Sequence, residues 1–195
     1  MLKSHQPCRA LLASIGLLSL ATWFAACAAT EPQAAPHASS ASEPTVEPPP
    51  QIRAWMDRLT VPHAYDPETG FIVAREVIPL PPILRDGPRL DEAVRLAADS
   101  GRIVIAFATA DRCAPCQQYK LDALQDPRVI RRLEDPRLLA SHVEVDRHPE
   151  LARRYLAGPA IPMTYALRDG QRFATLRGQR SPEDLLAWLD EVLAE

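Results

Sequence analysis

The chain has 195 residues, with 20 Pro, 7 Gly and 4 Cys, and its 22 basic side chains nearly balance 25 acidic ones. This length allows one domain with an accessory piece, and a formal net charge of −3 leaves no electrostatic footprint for nucleic acid. Four cysteines are too few to staple a scaffold this large, so their positions carry the information: Cys8, Cys27, Cys113 and Cys116.

Lys3 and Arg9 precede 17 uncharged residues, Ala10 to Ala26, which are mostly Ala, Leu and Ile. Interrupted by Ser14, Gly16, Ser19 and Thr22, this run falls short of the roughly 20 apolar residues of a spanning helix. It fits the h-region of a secretory signal. Its end, Phe24-Ala25-Ala26-Cys27, resembles the bacterial lipoprotein cleavage box, with Phe24 where that pattern usually has Leu. The resemblance implies a signal peptide over 1–26 and lipidation of Cys27 as the mature N-terminus. Plain cleavage near Ala26 to Ala29 and a retained signal anchor are the alternatives. Each of them places the remainder outside the cytoplasm, and a lipidated Cys27 ties it to a membrane through acyl chains. Cys8 has no role in this reading.

Residues 27–50 form a tether rich in Pro, Ala and Ser, with Val46 its only large apolar side chain. Such a stretch cannot bury enough surface to offset the entropy of ordering it. His37 within it is solvated filler. Residues 51–89 read as an N-terminal extension packed on the domain that follows. Ile52, Trp55, Met56 and Leu59 share one face of a short helix over Gln51 to Leu59. A turn follows at Tyr65 to Gly70, then a strand over Phe71 to Ile78, stopped by Pro79, Pro81 and Pro82. Neither this extension nor His63 names a ligand.

Leu90 to Ser100 reads as a helix with Leu90, Val94 and Ala97/Ala98 on one face and Gly101 as its C-terminal cap. The apolar run Arg102 to Ala108 is a short strand buried on both faces. After the loop 109–112 comes Cys113-Ala114-Pro115-Cys116, and Gln117 to Gln125 is helical in composition. The two cysteines therefore lie where a buried strand ends and a helix begins. That placement suits redox chemistry, because unsatisfied N–H groups at a helix start stabilise the thiolate that attacks a disulfide. Two intervening residues let the second sulfur resolve a mixed disulfide formed by the first. A metal half-site and a static disulfide are the alternatives. A closed zinc site needs four ligands, and His142 and His148 are the only histidines in this region.

Residues 90–195 resemble the thioredoxin superfamily. Beyond the cysteines, Val143 to Tyr155 is similar to its strand, Asp-x-x-Pro turn and helix, and Ala160-Ile161-Pro162 to its Ile-Pro element. Thr164 to Leu167, Asp169-Gly170, Phe173 to Leu176 and Gly178 resemble the final hairpin. Ser181-Pro182-Glu183-Asp184 opens the last helix, with Leu185, Trp188, Leu189, Val192 and Leu193 as its buried stripe. Asp126-Pro127-x-Val129 followed by Leu133 is similar to a subgroup of secreted thioredoxin-like proteins that includes the C-terminal periplasmic domain of the DsbD electron transporter. The resemblance implies an α/β thioredoxin fold, a central mixed sheet flanked by helices, behind an N-terminal extension. It also implies that Cys113 attacks and Cys116 resolves, and that Ile161–Pro162 is a cis peptide facing them. Arg112, Ala114, Pro115, Ile161 and Pro162 would form the rim that meets a substrate.

Three departures from that family stand out. Arg112 replaces the usual Trp before the first Cys, where it either stabilises the thiolate by charge or is a solvated loop residue. Ala106 and Phe107 occupy the stretch where many thioredoxins bury an acid, so proton removal from Cys116 falls to water, Asp111, His142 or Glu144. Met163 replaces the Thr that usually follows the cis proline and would soften the groove.

The expectation is a monomeric, membrane-anchored, periplasmic thiol–disulfide oxidoreductase, a reductase or electron relay that needs no cofactor or metal. Its partners would be protein disulfides or dithiols and a membrane or periplasmic redox protein. An oxidase or isomerase, a non-catalytic binding or assembly module, and a metal-delivery module are the alternative readings.

Overall fold

In the computed structural model, residues 46–156, 158 and 160–195 are described. The signal segment, Cys8, Cys27, His37 and the tether up to residue 45 lie outside them.

The strand read as doubly buried is the centre of the domain. All seven residues of β3 (Ile103–Thr109) are shielded from water. Ile103, Ile105 and Phe107 point to one face of the sheet, with Tyr119, Leu124, Val129, Leu133, Leu185, Leu189 and Val192. Val104, Ala106 and Ala108 point to the other, with Leu90, Ala93, Ala97, Leu151, Ala152 and Tyr165. This is a three-layer α/β/α arrangement, in which the alternation of a strand serves two cores.

The helices follow from local chemistry. Helix α3 (Leu90–Ser100) carries Asp91 and Glu92 in its first turn and ends on Gly101 at φ 67°, a left-handed position that favours glycine. Its buried face is Leu90, Ala93 and Ala97, with Val94 partly covered, whereas Ala98 is exposed. Helix α5 (Pro127–Leu133) is capped by Asp126, which accepts from the Arg128 N–H at 2.7 Å, and has Pro at its first position. Helix α7 (Pro182–Ala194) uses the same device, Ser181 accepting from the Asp184 N–H at 3.1 Å. Arg128 bridges the two helices by reaching Glu183 at 2.7 Å.

The main sheet has the order β4-β3-β5-β6. Strand β4 (Leu138–Glu144) runs parallel to β3, so a crossover joins them. Strand β5 (Met163–Arg168) is antiparallel to β3 and to β6 (Gln171–Arg177). Asp169 and Gly170, at φ 51° and 73°, make the two-residue turn between the last two strands. Helix α6 (Pro149–Tyr155) fills the gap between β4 and β5. A central mixed sheet flanked by helices matches the fold implied by the resemblance.

The extension is more regular than its sequence suggests. Helix α1 (Pro50–Met56) stops short of Leu59, and β2 (Phe71–Ala74) is half the predicted strand. Strand β2 pairs antiparallel with β1 (His63–Asp66), and Asp66 holds the connecting turn through the N–H of Glu68 at 3.0 Å. Beyond Ala74 the chain leaves strand geometry and crosses to the short helix α2 (Pro82–Arg85). Gly87, just after α2, passes close to the sheet. A Cβ there would sit 2.6 Å from the Ile83 carbonyl oxygen and 3.2 Å from that of Ala140.

Backbone oxygens cannot move aside as a flexible side chain can, so Gly87→Ala should destabilise the protein by about 1–3 kcal/mol. Urea denaturation checks this: the midpoint falls while the slope with denaturant is unchanged.

Candidate active site

Strand β3 delivers the chain to Ala110, and Cys113 caps the next helix, α4 (Ala114–Tyr119). Cys113 and Cys116 form a disulfide with their Cα atoms 5.2 Å apart. The Cys113 Sγ accepts the Cys116 N–H at 3.2 Å. Cys116 is fully buried and Cys113 only partly, so solvent and partners reach Cys113 first. After Tyr119 the helix widens into one π turn, Lys120–Leu124, marked by the Gln125 N–H donating to the Lys120 carbonyl at 3.2 Å. Among the described residues, no three His, Cys, Asp or Glu side chains are grouped to hold a metal ion.

The extension is built into this site. Val73 forms an antiparallel bridge with Cys113, and the Ala74 N–H donates to the Arg112 carbonyl at 2.8 Å. Gln117 and Gln118, next on the active-site helix, are both buried and both spent on this junction. The Gln117 carboxamide accepts the Ile78 N–H at 2.8 Å and donates to the carbonyls of Ala110 and Asp111 at 3.1 and 3.0 Å. Gln118 accepts the N–H groups of Thr60 and Val61 at 2.7 and 3.0 Å. Leu59, Val61 and Ile72 pack around Ala114, each worth about 1.5–3 kcal/mol relative to exposure. Ala114 therefore lies beneath the extension and not on a substrate-facing rim, because the hairpin covers it.

The other candidate residues divide. Pro115 and Ile161 line an apolar groove of about 750 Å³ with Cys113, Arg112, Ile52, Trp55, Phe71, Ile72 and Val73. Ile161–Pro162 is a cis peptide. Pro162 is itself buried, leaving Ala160 and Ile161 on the groove. Met163 is buried in the core cluster against which Cys113 and Ile161 also pack, and it does not line the groove. Arg112 is exposed but its charge is engaged: Asp146 holds it at 2.6 and 3.3 Å, and the guanidinium lies 5.7 Å from the centre of the Phe71 ring. It is neither a free cation beside the sulfur nor an idle loop residue; it braces the hairpin.

Asp111, His142 and Glu144 belong to one polar cluster at the ends of β3 and β4. Glu144 accepts the N–H groups of Asp111 and Arg147 at 2.9 and 2.8 Å, which fixes the loop before Cys113. Asp111 takes ion pairs from Arg147 and from Lys120, the latter at 3.3 Å. Lys120 is only 2% exposed, and burial pushes its pKa below the usual lysine range despite the opposing Asp111 charge. Nothing in the sequence separates this lysine from a solvated one except its place four residues after Cys116, on the same helical face. His142 shares a hydrogen bond of 2.7 Å with the Thr109 hydroxyl.

Burial, followed by the Lys120 charge, lowers the His142 pKa from 6.5 to about 4. An unfolded chain therefore takes up this proton first as pH falls. The stability tied to neutral His142 is complete above about pH 6.5 and is lost by about pH 4. Between about pH 7 and pH 4 the wild type should lose about 1–3 kcal/mol more than His142→Gln. Urea titrations of both proteins at the two pH values measure the difference, and equal losses would refute it.

No protein-family model matches the chain, and a search of curated proteins finds none similar to it. Among solved structures the chain is similar to a thioredoxin from Thermus thermophilus, with 34% identity and a TM-score of 0.46 over 54% of this chain and 84% of that one. It is likewise similar to a wild-type thioredoxin h from poplar, with 29% identity and a TM-score of 0.44 over 54% of this chain and 88% of the other. A mutant poplar thioredoxin h gives 26%, 0.45, 54% and 76% for the same quantities. On its own topology, with β5 antiparallel in a β4-β3-β5-β6 sheet and the Cys pair opening α4, the sheet and its flanking helices have the thioredoxin fold.

Proposed function

We propose that the chain is a thiol–disulfide oxidoreductase, exported and held at a membrane, that reduces protein disulfides or relays electrons between protein dithiols. The observation that carries this reading is the Cys113–Cys116 disulfide, with one sulfur buried and its partner residue opening onto a groove beside Ile161.

In the reduced protein, Cys113 is the attacking thiolate, and the Cys116 N–H supports its charge. Its sulfur attacks one sulfur of the partner disulfide, that S–S bond breaks, and the other partner sulfur leaves as a thiolate that takes up a proton. Cys116 then gives up its proton and attacks Cys113. The Cys113–Cys116 disulfide forms, the bond between Cys113 and the partner sulfur breaks, and that sulfur leaves as a thiolate that takes up a proton, so the partner departs as a dithiol. Two electrons have passed to the partner, and a second protein dithiol returns them by the reverse exchange. The two sulfurs carry the whole reaction, so no bound cofactor is needed. The Asp111, Glu144 and His142 cluster supplies candidate groups for moving the Cys116 proton. Export and anchoring rest on the apolar segment before Cys27.

Cys113→Ser should lower insulin reduction with dithiothreitol by at least about a hundredfold, as removal of a nucleophile does. Cys116→Ser should instead accumulate mixed disulfides, visible on non-reducing gels, whose attached proteins identify the partner. A wild type no faster than Cys113→Ser on every disulfide tried would defeat the proposal. Separately, cells fed a labelled fatty acid should label the wild type and not Cys27→Ala, which should appear in the soluble fraction.

A further inference from the structure

The groove at Cys113 is not made by the thioredoxin-fold domain alone. Six of its eleven lining residues, Ile52, Trp55, Gly70, Phe71, Ile72 and Val73, come from the N-terminal extension. Phe71 is 56% exposed and Trp55 38%, two large apolar side chains kept in water at the groove. Apolar surface of that kind marks a contact made with something else. The structure also fixes it firmly in place, through the Val73–Cys113 bridge and the buried amides of Gln117 and Gln118.

Resting on the oxidoreductase reading above, we infer that Phe71 and Trp55 select the protein's partners: the groove takes a peptide segment whose redox cysteine is flanked by large apolar side chains. Exchange at Cys113 requires the partner sulfur to meet the Cys113 sulfur in the groove wall. The residues on either side of the partner cysteine then lie against Phe71, Trp55, Pro115 and Ile161. Apolar flanks bury that surface, whereas polar flanks lose their water without finding hydrogen-bond partners. An ionic partner gains nothing here. Among the described residues of the lining the one charged side chain, Arg112, is already paired with Asp146 and lies 5.7 Å from the centre of the Phe71 ring. A volume of about 750 Å³ suits several side chains of a segment rather than a single sulfur and its methylene.

Two disulfide-linked peptide substrates, alike except for Leu or Ser on each side of the cysteine, test this with dithiothreitol as the reductant. A small uncharged disulfide is run beside them with the wild type. The expected wild-type kcat/KM is about tenfold or more higher for the Leu-flanked peptide, in the range a hydrophobic subsite provides. Phe71→Ser and Trp55→Ser should each shrink that ratio, and the double variant should bring it close to one. Phe71→Leu should restore most of it, which a merely structural role would not do. The ratio compares two substrates on the same protein, so a partial loss of folded enzyme leaves it intact. A wild type that reduces the small disulfide but treats both peptides alike overturns the inference and leaves the oxidoreductase reading standing. An unchanged ratio in all the variants overturns it too. A wild type inert on all three disulfides removes the reading and the inference together.

Discussion

Burial of β3 on both faces is the constraint from which the site follows. A strand covered on two sides cannot drift in register, because each residue has a cavity of its own to fill on one face or the other. Ile105 and Phe107 are fixed against the α5 and α7 side, Val104 and Ala106 against α3 and α6. The strand therefore ends in a determined place. Glu144 on the neighbouring strand catches the Asp111 N–H just beyond, so the loop has little freedom before Cys113. A Cys113 sulfur positioned this way is held by the core and not by its own loop.

The second constraint is the pair of carboxamides that follows the cysteines. Two buried amides cost stability unless every polar atom is matched; here backbone N–H groups of the extension meet both oxygens, while the amide N–H groups donate to Ala110, Asp111, the Thr60 hydroxyl and Asp122. The extension and the active-site helix thus satisfy each other. Detaching the extension would leave the Gln117 and Gln118 oxygens without these partners and expose Leu59, Val61 and Ile72 at once. That interdependence makes the extension part of the architecture of the candidate site.

Much of this was legible in the chain, and the boundary between what was and was not is physical. Elements specified by their own residues were readable. The apolar run of β3, the Ser181-Pro182 start, the Gly101 stop and the Asp169-Gly170 turn all encode local geometry. Elements specified by distant partners were not. Strand β1, with His63 and a proline beside it, exists because β2 pairs with it, and β2 stops early because Ala74 turns its N–H to Arg112. Gln117, Gln118 and Lys120 have the composition of a solvated helix face. Their burial depends on groups 39 to 58 residues away in the case of the glutamines and on Asp111 in the case of the lysine. The Cys-x-x-Cys announced its chemistry, but the wall that faces it came from a segment whose sequence names no ligand.

Electrostatics around the cysteines point the same way. Arg112, Arg147 and Lys120 bring three cations near the site, and Asp146, Asp111 and Glu144 bring three carboxylates. The pairs are local: Arg112 with Asp146, and both Arg147 and Lys120 with Asp111, while His142 stays neutral in the folded protein. Opposite charges this close leave a small net field a Debye length away. Stabilisation of a Cys113 thiolate then falls to short-range groups, the Cys116 N–H and the start of the helix. Long-range steering of a charged partner is correspondingly weak. On the proposed function, what remains to distinguish one disulfide from another is contact at the groove, whose lining is mostly apolar side chains contributed by the thioredoxin-fold elements and the extension together.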